Sequence, residues 1–337
     1  MVSVYSPLRI GLGGGGSDIY PSNELVGSFT NITINKYVYC SAEITKNKIF
    51  SLHSVDQNVD FELEYEQVHE DFTTVPEAVK LHAASLKVIF ERFGPVINHG
   101  LTIKSSSEYP VGTGLGCSSS LTVAILVAIL EVLEISATLT KRELFELSLL
   151  VEREKLKFPG GVQDAIAPIY GGCNFVEWRN QSDMFVESVP ISYQFLRQLS
   201  HCALLISTGN FRNFSHSSRI RHGYTLAPDK NEALVHNSRL IRQALLRSNF
   251  DLLMEGLIQG WEVKKEFDGV LNPEITKVIE CIENSPAKAF KLCGAGGGGY
   301  FLIFASPDTR VKSKKYFENN GYQVVDLNFV IERVELV

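Results

Sequence analysis

Residues 110–134, PVGTGLGCSSSLTVAILVAILEVLE, constrain this chain more than any other stretch. Glycines at 112, 114 and 116 let the backbone turn through positive φ and approach a ligand closely. Ser118, Ser119 and Ser120 follow, and then an almost wholly apolar run from Leu121 to Leu133. Serine ahead of an apolar run marks a helix start, because its hydroxyl can satisfy an orphan backbone amide. A helix from Ser118 is therefore expected, and being apolar on every side it should be central. A glycine loop feeding the positive end of such a helix is a ready phosphate site. A plain turn into a core helix would not call for three glycines and three serines together.

Two further glycine clusters frame this loop, Gly11–Gly16 (GLGGGG) and Gly294–Gly299 (GAGGGG). Both satisfy G-x-G-x-x-G, the dinucleotide-binding fingerprint, which needs a strand before it, a helix after it and an acidic residue about 20 positions on. Twenty residues past Gly16 stands Lys36, and Pro21 interrupts any early helix. After Gly299 comes Tyr300-Phe301-Leu302-Ile303-Phe304, which reads as a strand. The context excludes the dinucleotide reading. The G-x-x-x-x-G-K-[ST] pattern is absent too, so a nucleotide would be held without that lysine.

The remaining elements follow from periodicity. Strands are expected at Ser3–Ile10, Phe29–Ile44, Lys48–His53, Phe61–Tyr65 and Gly100–Ser105. Apolar spacing predicts a helix over Pro76–Phe93, ended by Gly94-Pro95. Another starts near Thr140, with Glu143 completing a capping box, and runs to about Phe158. It carries Glu152 and Glu154, each on an apolar stripe, and periodicity does not say which faces inward. Pro159-Gly160-Gly161 breaks that helix ahead of Asp164, a residue that could itself cap the next one. Strands at GGCNFVEW and MFVESVP lead to a boundary near Pro190-Ile191-Ser192. Beyond it, HCALLIS (201–207) reads as a strand, 231–248, 251–267 and 272–285 as helices, then strand–GAGGGG–strand, a lysine-rich helix at 308–319 and a closing strand pair. Interleaved strands and helices in two halves, 1–190 and 191–337, make an α+β protein.

A net charge of −6 argues against nucleic acid as the main partner, so an anionic substrate would need a local basic pocket. The six cysteines show no C-x-x-C pair or zinc spacing, which fits reduced, structural thiols in a cytoplasmic protein. No signal-peptide pattern opens the chain, and the run from Leu121 falls short of the ~18 apolar residues of a membrane span. No membrane partner is expected.

The three glycine clusters, in this order, resemble the three motifs of the GHMP kinases. Pro7-Leu8-Arg9…Gly15-Gly16-Ser17-Asp18 resembles the first, PVGTGLGCSSS the second and KLCGAGGGGYFLIF the third. PLRIGLGGGGSD with GGVQDAIAPIYGG is most similar to the branch that acts on D-glycero-D-manno-heptose 7-phosphate. The resemblance implies a two-domain fold, with a left-handed βαβ unit in the N-terminal domain and a ferredoxin-like C-terminal domain. It implies transfer of phosphate from ATP to a sugar hydroxyl with Mg²⁺, by a monomer or homodimer. Asp164, in its Gly-x-x-Asp setting, would be the catalytic carboxylate and Arg9 its cationic partner.

The same resemblance assigns the other sites. Pro110, Gly112, Gly114, Leu115, Gly116, Cys117, Ser118, Ser119 and Ser120 would hold the nucleotide. Glu152, twelve residues before Asp164, would ligate magnesium with Ser118. Asp18 would accept hydrogen bonds from the sugar, with Gly15, Gly16 and Ser17 beside it and Gly296 and Gly297 from the third motif. Where galactokinases carry Glu-His this chain has Gly15-Gly16, which suggests room for a different or larger sugar. Thr208-Gly209-x-x-Arg212 matches the S/T-G-x-x-R of sugar-phosphate relatives, whose arginine would meet a second phosphate. A fucose- or galactose-type sugar-1-kinase, or a member that binds sugar phosphate without catalysis, is the competing expectation.

Overall fold

The computed structural model describes residues 1–18, 26–94, 99–136, 139–158, 160–178, 183–211 and 228–337. A large mixed sheet is built on β1 (Val2–Gly13) and β2 (Gly27–Thr45), which run antiparallel. The 19-residue β2 is long enough to serve two partners along one edge. Its first part pairs with β6 (Cys173–Trp178) and its second with β5 (Gly100–Ser107). β3 (Ile49–Ser54) lies parallel to β5 and antiparallel to β4 (Val59–Glu64), while β7 (Met184–Ser188) continues from β6. The parallel β3–β5 pair, joined through α1 (Lys80–Phe93), is the βαβ unit.

Four helical segments cover this sheet: α1, α2 (Cys117–Val132), α3 (Lys141–Leu149) and α4 (Gln163–Tyr170). As its all-round apolar sequence requires, α2 is buried along nearly its whole length, Val123 to Leu126 without exposure. It does not start with a serine cap. Gly116, in the left-handed region at φ 82°, is the N-cap, and the serines lie inside the first turn, the hydroxyls of Ser119 and Ser120 engaged elsewhere. The Thr140–Glu143 capping box forms as expected. The helix it opens changes character at Leu150, where residues 150–155 take a π-helical turn. Such turns are often found at functional sites.

A second sheet has the order β11-β8-β10-β9, all antiparallel, from β8 (Ala203–Ser207), β9 (Ala289–Leu292), β10 (Tyr300–Phe304) and β11 (Val324–Asp326). In chain order this is 4-1-3-2, with helices between the first and second strands and the third and fourth, the ferredoxin-like arrangement. Those helices are α6 (Pro228–Leu246), α7 (Phe250–Lys264) and α8 (Pro273–Glu283), then α9 (Arg310–Asn319).

Three expectations are corrected. Residues 201 and 202 end a helix, α5 (Tyr193–Cys202), rather than start β8; Ser192 caps it, and Phe195, Leu199 and Cys202 face inward at helical spacing. The first strand runs through Gly11–Gly13 before turning, so half of that cluster is strand. The closing strands are not partners either. β11 belongs to the second sheet, whereas β12 (Glu335–Leu336) pairs with β1, and Phe329 bridges to Ile34. The last residues thus return to the first sheet, and a unit beginning at residue 191 remains a proposal on which this tail sits with the other half.

Candidate active site

β1 delivers Arg9 into the interior, where the side chain is 3% exposed. Its guanidinium splits between two groups. Nε donates to Asp164 Oδ1 at 3.0 Å, joined by Nη2 on the same oxygen, and Nη1 donates to the Gly114 carbonyl at 2.6 Å. The Arg9 amide also donates to the Leu115 carbonyl at 2.9 Å. One residue therefore ties the glycine loop to the carboxylate, as a planar fork can. Burial opposes the charge on Arg9, but facing Asp164 the guanidinium pKa rises above its ordinary value. Asp164 sits in the first turn of α4, whose N-cap is Val162, so it does not cap that helix.

Glu152 and Glu154 are now distinguished. Glu154 is exposed, and Glu152 is 3% exposed. Glu152 Oε2 accepts from Ser119 Oγ at 2.9 Å and Oε1 from Thr122 Oγ1 at 3.1 Å, both on the first turns of α2. Burial pushes its pKa up, the Asp164 charge pushes the same way, and the two hydroxyls and Arg153 pull it back. Ser118, partly exposed, keeps its hydroxyl apart from this clamp, while its carbonyl accepts from Thr122. Ser120 turns inward and donates to the Pro7 carbonyl at 2.8 Å. Among the described residues no group of three His, Cys, Asp or Glu side chains gathers as a metal site. Mg²⁺ carried by a nucleotide needs only one or two protein carboxylates, and the hard oxygens of Glu152 and Ser118 suit it.

In the glycine loop, Leu115 is fully buried and anchors it, and Pro110, Gly112, Gly114 and Gly116 stay at or near the surface. Cys117 turns inward to Tyr109, Thr113 and Ser107, and burial pushes its thiol up to about 11, so only its backbone is offered to a ligand. The third glycine motif packs on this loop. The Tyr300 amide donates to Thr113 O at 3.2 Å, and a Cβ at Gly299 (φ 104°) would lie 2.2 Å from that oxygen. Thr208 donates through both N and Oγ1 to Gly299 O, placing Thr208-Gly209 beside the third motif. Gly296 and Gly297 turn against Val270. Arg212 lies outside the described residues.

The first glycine turn presents Asp18, 2% exposed. Gly16 N donates to its Oδ1 at 2.9 Å and Gln163 Nε2 to its Oδ2 at 2.9 Å. Ser17 is committed to the turn itself, its hydroxyl bonding the carbonyls of Gly14 and Ser28. A Cβ at Gly15 would meet Gln163 Nε2 at 3.4 Å, an ordinary contact. Gln163 was not anticipated from sequence, though its place directly before Asp164 on a helix first turn points it at the same site.

Glycine turns from both halves of the chain pack near one buried Arg9–Asp164 pair, the arrangement of a small-molecule kinase. The GHMP kinases N terminal domain matches residues 80–172 and the GHMP kinases C terminal domain residues 241–322. The chain belongs to the GHMP kinases, and it is a sugar kinase. It is 27% identical to a D-glycero-alpha-D-manno-heptose 7-phosphate kinase of Campylobacter jejuni, over 99% of this chain and 98% of that protein. A crystal structure of a D-glycero-D-manno-heptose 1-phosphate kinase from Bacteroides thetaiotaomicron shares the fold at TM-score 0.83, 23% identity and full coverage of this chain, with 99% of that one. Phosphomevalonate kinase of Streptococcus pneumoniae, solved with phosphomevalonate and AMPPNP, shares it at TM-score 0.75 and 14% identity, over 98% of this chain and all of that one. No helix among the described residues is long and apolar enough to cross a membrane.

Proposed function

We propose that the protein transfers the γ-phosphoryl group of ATP to the anomeric hydroxyl of D-glycero-D-manno-heptose 7-phosphate, giving the 1,7-bisphosphate. The observation that carries the kinase chemistry is the buried Arg9–Asp164 pair, tied through Gly114 to the phosphate loop. Phosphoryl transfer is mostly positioning and charge stabilisation, and this arrangement supplies both. Loop amides and the α2 N-terminus hold the phosphates. The attacking hydroxyl is oriented by Asp164 Oδ2, the oxygen that Arg9 leaves to other partners, and its proton passes to that carboxylate. Arg9 stabilises both the carboxylate and the charge that develops on the transferred group.

Asp18, fixed by Gly16 and Gln163, accepts hydrogen bonds from the sugar's ring hydroxyls. Glu152 and Ser118 would hold Mg²⁺, which when bound neutralises phosphate charge. Ser119 and Thr122 keep Glu152 aimed. The heptose and its 7-phosphate are supported by the near-full-length Campylobacter relative. The Arg212 segment is the proposed contact to that phosphate.

Turnover of purified protein on a panel tests the substrate: heptose 7-phosphate, heptose 1-phosphate, free heptose, fucose and galactose, each with ATP and magnesium. The expected ranking puts heptose 7-phosphate first by at least tenfold in kcat/KM. Faster turnover of fucose, galactose or the 1-phosphate would reject this substrate, and no turnover of any sugar would leave a binding protein.

A further inference from the structure

The reaction above leaves one buried cation unexplained. Lys291, on β9, is 8% exposed. Its ammonium donates to two carbonyls of β1, Gly11 O at 2.6 Å and Leu12 O at 2.8 Å. Among the described residues no carboxylate pairs with it. Burying an ammonium against carbonyls alone is costly, and a neutral donor would join two strands for less. Burial, helped by nearby Arg9 and opposed by Cys293, lowers the Lys291 pKa to about 8.

The two carbonyls are well placed to matter. They lie between Arg9 and the Gly14–Asp18 turn, on the strand that carries Arg9 and leads into the turn. Just past Lys291, β9 runs into the third glycine loop, and Lys264 of α7 braces that junction by donating to Leu292 O at 2.9 Å and to Gly294 O. Lys264 and Lys291 also line a cavity of about 20 Å³, room for one water, together with Gly14, Gly15, Gln163 and Asn237. Asn237 Oδ1 is buried there with no partner among the described residues. The lysine pair thus stands directly behind the turn that offers Asp18.

We propose that Lys291 is a positioning residue for the sugar acceptor: it clamps β1 to the second sheet and so holds the Gly14–Asp18 turn at the spacing the acceptor needs. The inference rests on the kinase reading for its substrate, and on the geometry alone for the clamp. Charged donation to two carbonyls is strong enough that its loss should cost about ten- to a hundredfold in acceptor binding.

The test compares Lys291→Met, Lys291→Gln and Lys291→Arg in the full-length protein. Acceptor KM, ATP KM and kcat are measured on the best sugar of the panel, with amide hydrogen exchange of residues 11–18 in the free protein. Lys291→Met should raise the acceptor KM at least tenfold, leave the ATP KM within about twofold and speed exchange across residues 14–18. Lys291→Arg, which keeps a cation, should recover most of the acceptor affinity, and Lys291→Gln, with a shorter neutral donor, should fall between. Should the Met variant not fold, the Gln and Arg variants carry the same comparison. An unchanged acceptor KM, or equal losses for acceptor and ATP, overturns the proposal. Faster exchange at 14–18 in Lys291→Met, alongside a wild type that phosphorylates no sugar, would keep the clamp and reject the kinase reading instead.

Discussion

Replacing Arg9 with lysine asks whether the site needs a fork or only a positive charge. The guanidinium makes three side-chain hydrogen bonds, two to Asp164 Oδ1 and one to Gly114 O. A lysine ammonium is a compact head on a flexible stem and cannot reach both partners in that geometry. The variant keeps the charge, so it escapes most of the about 3–5 kcal/mol that a buried carboxylate costs when it is left alone. It forfeits one or two charge-assisted bonds at about 1.5–3 kcal/mol each. Because the bonds join the phosphate loop to Asp164, most of the loss should fall on turnover, about 10²-fold or more. The assay pairs steady-state kcat with thermal unfolding of the same preparation. A lysine variant with near-wild-type kcat would show that charge alone suffices. A kcat loss explained wholly by the unfolded fraction would reduce the pair to a structural bridge.

Three further outcomes are expected. Ser118→Ala and Glu152→Gln should each raise the magnesium concentration for half-maximal rate several-fold, since each removes an oxygen ligand from a hard cation; lost stability with an unchanged magnesium profile would make Glu152 structural. Gly161→Ala should raise the sugar KM about tenfold with little change for ATP, because the new methyl would lie 1.8 Å from Asp18 Oδ2 and push that carboxylate away; equal effects on both substrates would remove Asp18 from the sugar site. His82 is buried, and burial lowers its pKa from 6.5 to about 4. Below pH 6.5 the unfolded chain takes a proton that the folded chain refuses, so its contribution is full above that pH and lost as pH falls towards 4. The span is worth at most about 3.4 kcal/mol. His82→Leu should flatten the unfolding midpoint between pH 6.5 and 4, and an unaltered slope would clear His82 of that role.

The legible parts of the sequence were those where one residue type has one physical meaning. An apolar run without a polar face can only be a central helix, and α2 is one. Thr140 and Glu143 form the capping box their spacing announces. The orientation of Glu152 was not legible, because a π-helical turn at residues 150–155 shifts the register on which a stripe is counted. α5 was missed because Cys202 and Ala203 join helix and strand with no glycine or proline between them. The serines after the glycine loop read as caps, yet Ser119 and Ser120 reach Glu152 and Pro7, partners remote in sequence. Gln163 and Lys291 were hidden for the same reason, since each bonds the first glycine segment, Gly11–Asp18, from more than a hundred residues away.

The central claim is that Asp164, beside Arg9, orients the attacking hydroxyl and takes its proton, and Asp164→Asn measures it most directly. The amide is isosteric and keeps an oxygen for Arg9 to bond, so nucleotide affinity should stay within about threefold of wild type. Loss of a positioned proton acceptor should lower kcat on the true sugar by about 10²-fold or more. Intact nucleotide binding with that loss is the result predicted. Near-wild-type kcat in the asparagine variant would contradict it and leave the Arg9–Asp164 pair as a brace between strand and helix.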